Sequence, residues 1–292
     1  NDDGDPHHIQ WAAFNTADAD RDTKMWVVPF KQRVEANGDP FDLWISPSFF
    51  VGGSTGDVPA WLLESPGEYA EFATSFLLHL KKAHGVEANY HVVCNEPANN
   101  NRFQPRVVGR MIRTLGRKMK ALGLKTRIQF PDCINANHAW RFIEALRNDR
   151  EVWRYVGVIS YHLYGNNAAR PKIRDFGKAK GIPTAQTEHM GRKFPRLYDD
   201  LTLGGASFWS IYGWGGAFTI RHDGASFTRA REYWPLRQVM HYVRPGAVRV
   251  EAKSDDASLR ALAFVRKGAV TVVLLNDGRG ARRQEVTVAG LP

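Results

Sequence analysis

The chain has 292 residues, 43% apolar and 12% aromatic, which is the composition of a globular protein and excludes a disordered one. Its formal charge of +10 comes from Lys and Arg scattered along the chain without a nucleic-acid motif, so nucleic acid is not an expected partner and an acidic polysaccharide is the alternative kept open. No apolar run reaches the length of a membrane span.

The chain opens on NDDGDPHH, without an initiator Met or a signal peptide. It reads as the interior of a loop whose leader has been processed away or truncated. A secreted or periplasmic location is expected. The first forty residues offer one helix, RDTKMWVVPFKQRVEAN, and an ambiguous HHIQWAAF. FDLWIS (41–46) then reads as a strand, followed by a loop rich in Gly, Ser and Pro. SPGEYAEFATSFLLHLKKAHG places Tyr69, Phe72, Phe76, Leu77 and Leu80 at helical spacing, with a Ser cap before and Gly85 after.

YHVVC is the next strand and QPRVVGRMIRTLGRKMKALG the next helix. TRIQF, VGVISYH, IPTAQTE and LGGASFWSI read as further strands, with HAWRFIEALRND, IRDFGKAKG and REYWPLRQVMHYV as helices among and after them. Six strands alternating with helices at a period of roughly 30 to 40 residues have the size of a barrel's βα unit. The expected class is α/β, a (β/α)8 TIM-type barrel two strands short of closure. No Gly-rich phosphate loop follows any strand, which counts against an open nucleotide-binding sheet.

Past Pro245 the texture becomes β-rich, in AVRVEA, LRALAFVR, AVTVVLLND and EVTVAG. Residues 1–244 are thus expected to form the barrel and 245–292 a small antiparallel, β-sandwich-like appendage. Cys94 and Cys133 lack metal-ligand spacing and are expected as buried thiols. No metal and no cofactor are expected.

In a parallel barrel, chemistry collects at the C-terminal ends of the strands. Those ends carry Asn95-Glu96-Pro97, His162-Leu163-Tyr164, Glu188-His189 and Trp209. A lone Glu after a strand is ordinarily a charge at the start of the next helix. A lone His or Trp is ordinarily packing. Two carboxylates on one rim, three strands apart, are the inventory that glycoside hydrolysis needs: an acid for the leaving oxygen and a carboxylate opposite it. A retaining enzyme holds them roughly 5–5.5 Å apart, an inverting one about 6.5–9.5 Å.

These residues resemble those of the retaining clan of (β/α)8 glycoside hydrolases, whose acid/base lies in an Asn-Glu pair and whose sixth strand ends in His-x-Tyr. SPSFF, NEP, YHLYG, TEHM and YVRPGAVRV make the chain most similar to glycoside hydrolase family 30, over nearly its whole length. The resemblance implies that Glu96 is the general acid/base and Glu188 the nucleophile. It implies that Asn95 holds the sugar's 2-hydroxyl, and that Tyr164 hydrogen-bonds Glu188, keeping it ionised. It implies that His162 shapes the site and Trp209 is a platform under the ring. Trp214 and Trp61 are candidates for stacking sugars or else for packing the loops. Arg170, Lys172, Arg192, Lys193 and Arg196 lie in loops after the strands, where they either read an acidic sugar or simply face solvent.

The chain departs from the family at Ser48, where a tryptophan is usual. It also lacks a counterpart of the first two strands and of the arginine that ends the second. The expected function is a retaining hydrolase of β-linked glycans. A catalytically weak or inactive carbohydrate-binding barrel is the alternative.

Overall fold

A computed structural model of the chain describes residues 3–47, 60–191, 194–213, 216–221, 226–276, 280 and 283–290, with residues 60 and 61 in backbone alone. Ser48, Arg192, Lys193 and Trp214 lie outside the described residues. The chain forms two compact units, Asn1–His189 with Asp200–Ser210, and Met190–Asp199 with Ile211–Pro292.

The first unit is built on six parallel strands: β1 (Trp44–Ile45), β2 (Tyr90–Val92), β3 (Arg127–Cys133), β4 (Val156–His162), β5 (Thr184–Glu188) and β6 (Ala206–Trp209). Their order in the sheet is their order in the chain. Helices lie between them, among them Pro66–His84, Pro105–Ala121, Ala136–Leu146 and Arg170–Lys180. Tyr69, Met111, Ile112, Leu115, Ile128, Ile143 and Ile159 are all buried in the core these helices share with the sheet. Among the described residues β1 and β6 share no ladder. The sheet nevertheless curls until its edges meet through side chains. Trp44 of β1 stacks on Phe208 of β6 with 4.1 Å between ring centroids. This is a curled partial (β/α)8 barrel of six strands, as the element count implies.

Local chemistry explains the helix ends. Gly85, at φ 64°, closes Pro66–His84 in the left-handed conformation that glycine adopts without a steric cost. Ser65 occupies the cap position there but makes no side-chain capping bond, and Pro66 opens the helix instead. Asn135 does cap Ala136–Leu146, accepting from the His138 amide at 2.9 Å. The N-terminal helix contains Pro29, which cannot donate into the ladder. The turn before it widens to a π-helix over Thr23–Val27, which accommodates the ring.

The second unit holds a three-stranded antiparallel sheet of Val248–Val250, Leu259–Arg266 and Ala269–Asn276. Lys267 and Gly268, at φ 50° and 77°, make its tight turn. It also holds a hairpin of Phe218–Ile220 with Phe227–Arg229, and the helix Tyr233–Met240. EVTVAG, expected as a strand, forms none. Val286 and Val288 are 50% and 44% exposed, and alternation without a neighbouring strand to bond does not hold a strand in water.

Candidate active site

Alternation along the strands decides which side chains enter the barrel. Ser160 of β4 pairs with Ala185 of β5, and Ala185 with Phe208 of β6, while Tyr161, Gln186 and Trp209 form the adjacent row. Phe208 stacks on Trp44 and faces inward; Trp209 therefore faces out. Its indole Nε1 donates to Asp200 Oδ2 at 2.9 Å, in a buried cluster with the Tyr161 hydroxyl and Arg170. The structure does not bring Trp209 to the other candidates. Arg170 is likewise engaged, 3.2 Å from Asp200 Oδ1. Lys172 lies over the Trp140 ring, and Arg196 is exposed.

Glu96, His162, Tyr164 and Glu188 do converge. His162 ends β4 almost fully buried, and its Nδ1 lies 2.7 Å from Glu96 Oε1 and 4.0 Å from Glu188 Oε1. Tyr164 donates its hydroxyl to Glu188 Oε1 at 3.0 Å. Glu96, His162 and Glu188 each offer an atom within 4.8 Å of the others. Glu96 is buried, and Asn99 donates to its other carboxylate oxygen at 2.6 Å. Asn95 stands beside it, half-buried.

A residue absent from the sequence reading completes the network. Asp132, 2% exposed, lies 3.4 Å from His162 Nε2 and accepts from Gln129 and Thr187 at 2.6 Å each. Its backbone carbonyl accepts the Glu96 amide at 3.0 Å. The rule that found Glu96, a carboxylate at a strand's C-terminal end, points equally to Asp132 at the end of TRIQFPDC.

No protein-family model matches the chain, and no curated protein does. Solved structures do. An endo-β1,6-glucanase aligns with TM-score 0.66 at 20% identity, covering 87% of this chain and 68% of its own. A family 30 endoxylanase from Clostridium papyrosolvens aligns with TM-score 0.67 at 17% identity, covering 92% and 71%. SrfJ from Salmonella typhimurium aligns with TM-score 0.74 at 15% identity, covering 92% and 68%. The chain has the fold of the family 30 glycoside hydrolases.

On this family 30 fold, electrostatics set the site's protonation. Burial alone lowers the His162 pKa, but the charge and hydrogen bond of Asp132, then Glu96 and Glu188, raise it to about 10. The ring is therefore an imidazolium with both nitrogens facing carboxylates. Glu96, His162 and Glu188 have the donor types of a metal centre. Burial holds Asp132 up, yet His162 brings its pKa below the ordinary carboxylate value.

The Glu188 pKa is raised, with burial the largest cause. The His162 charge and the Tyr164 hydrogen bond oppose that, while Glu96 and Asp132 add to it. Tyr164 favours the ionised form as expected, but partial burial among carboxylates outweighs it.

Proposed function

We propose that the chain is a retaining glycoside hydrolase acting on a β-linked glycan by double displacement. The observation that carries this reading is the separation of the two glutamates, whose nearest carboxylate oxygens lie within 4.8 Å. That spacing suits direct attack on the sugar and leaves no room for the interposed water of an inverting enzyme. Glu188 attacks the anomeric carbon; the glycosidic C–O bond breaks towards the leaving oxygen, which takes a proton from Glu96. Glu96 then deprotonates the water that cleaves the glycosyl ester, and Glu188 is freed.

Asn95 holds the 2-hydroxyl, whose contact strengthens in the transition state. Tyr164 aims Glu188. His162 fixes Glu96 and places a positive charge between the two carboxylates. A secreted or periplasmic location is part of this reading.

A mechanism-based fluorosugar inactivator is expected to label Glu188, read by mass spectrometry of the digested protein. Glu188→Ala loses nearly all turnover, whereas Glu96→Ala still cleaves substrates with good leaving groups. Labelling elsewhere, with both variants fully active, would rule the reading out. A second reading, sugar binding without turnover, is favoured by the sheet's having six strands among the described residues. Oligosaccharide binding without release of reducing sugar would select it.

A further inference from the structure

A second cluster of metal-ligating side chains lies in the barrel unit, away from the glutamates. Asp20 comes from the N-terminal helix, and His79 and His84 come from Pro66–His84. Both imidazole Nε2 atoms lie 2.6 Å from the same oxygen, Asp20 Oδ1. His84 is 4% exposed, His79 19% and Asp20 28%, so the cluster is largely screened from water but open on one side.

Helix geometry does not bring the histidines together by itself. Five residues apart, they point about 140° away from one another around a helix. Their rings nevertheless approach to 5.8 Å between centroids, both reaching the one Asp20 oxygen. The carboxylate is oriented from behind, since Thr16 donates its hydroxyl to Oδ2 at 3.0 Å and leaves Oδ1 to the imidazoles. Such an outer hydrogen bond is what positions a carboxylate ligand.

The cations of the same turn are engaged elsewhere: Lys81 pairs with Glu87 at 3.1 Å, and Lys82 lies over the Trp11 ring.

We propose that Asp20, His79 and His84 form a binding site for a divalent transition-metal ion, with Zn²⁺ the best match. Two imidazole nitrogens and one carboxylate oxygen form a borderline donor set that suits zinc, nickel or cobalt over magnesium or calcium. Ligand atoms at about 2.0–2.1 Å from a tetrahedral ion sit about 3.4 Å from one another. The three atoms here, all within 4.8 Å, bracket that spacing and reach it by small side-chain rotations. With three protein ligands, a tetrahedral ion keeps its fourth position for water. The ion ties the N-terminal helix to Pro66–His84, across 59 and 64 residues of chain. Its binding therefore stabilises the fold.

The test is calorimetric titration of the chelator-treated full chain with Zn²⁺ alone, paired with thermal melting at each metal concentration. One bound ion per chain and a rising Tm are expected. Asp20→Asn keeps an oxygen that accepts from both imidazoles, so the fold survives while the negative charge is lost. This variant should bind Zn²⁺ about 100-fold more weakly, with its metal-free Tm little changed. His79→Ala should abolish the site, and Glu188→Gln should leave it intact. Zn²⁺ affinity unchanged in both Asp20→Asn and His79→Ala, or no binding to the parent chain, would overturn the proposal.

Discussion

Replacing His162 by Gln tests the charge arrangement at the centre of the site. The imidazolium sits between Glu96, Asp132 and Glu188, with Asp132 and the ring almost fully buried. Its pKa rises from the ordinary 6.5 to about 10 in the folded chain, which corresponds to about 5 kcal/mol of differential interaction. The sign follows from proton counting. Below pH 6.5 both states carry the proton and the stabilisation is complete. Between pH 6.5 and 10 the unfolded chain has lost a proton that the folded one keeps, so stability falls by about 1.4 kcal/mol per pH unit. Above that the contribution is gone.

His162→Gln removes this dependence and leaves buried carboxylates without a counter-charge, at a cost of about 3–5 kcal/mol near pH 6. The two proteins should converge as pH approaches 10. Urea unfolding followed by tryptophan fluorescence at pH 6, 7, 8, 9 and 10 gives both curves. A constant offset between them over this range would show that His162 is neutral in the folded chain, and would refute the reasoning.

Tyr164→Phe removes a donor that favours charged Glu188, so the acid limb of the pH–rate profile should move to higher pH. With the loss of a hydrogen bond to a charged group, kcat/KM should fall about 10- to 100-fold on that limb. An unmoved limb would mean that Glu188 does not set it. Gly116→Ala places a Cβ 2.2 Å from the Tyr155 Cγ, a clash that outweighs alanine's better helix propensity. The expected cost is about 1–3 kcal/mol, read as a lower Tm, and an unchanged Tm would show that the ring swings clear.

Much of the barrel was legible because buried parallel strands are continuous apolar runs. VGVISYH is the clearest case, with observed bounds of Val156–His162 that match the run. Cys94 and Cys133 are buried and outside any disulfide, in keeping with the expectation of buried thiols. The short helix Arg150–Tyr155 and the hairpin of Phe218–Ile220 with Phe227–Arg229 were not read. One is a single polar-rich stretch of six residues, and the other has strands of three residues, below the length at which a period shows. Trp209 was misplaced for a different reason. Its strand was right, but its face depends on the register with β5, which shifts between Thr184 and Ala185. One residue of slip exchanges the inward and outward rows.

The same sensitivity explains why the site itself is not a product of regular strands. Glu96 and Asp132 have φ of 48° and 59°, a left-handed conformation that is costly for a side chain bearing Cβ, about 1–3 kcal/mol each. Glu188 reaches the row of His162 only through a register shift after Tyr161. With regular β geometry, Glu188 would fall in the wrong row and Glu96 would lose its bond to the Asp132 carbonyl. The cross-links that hold these departures are the site's own: the Glu96 amide on Asp132, Thr187 on the Asp132 carboxylate, and His162 between all three acids. Asp132 is thus both a counter-charge and the residue to which the two irregular strand ends are fastened. A strand pattern shows that carboxylates arrive at one rim; only the irregularities bring them close enough to act together.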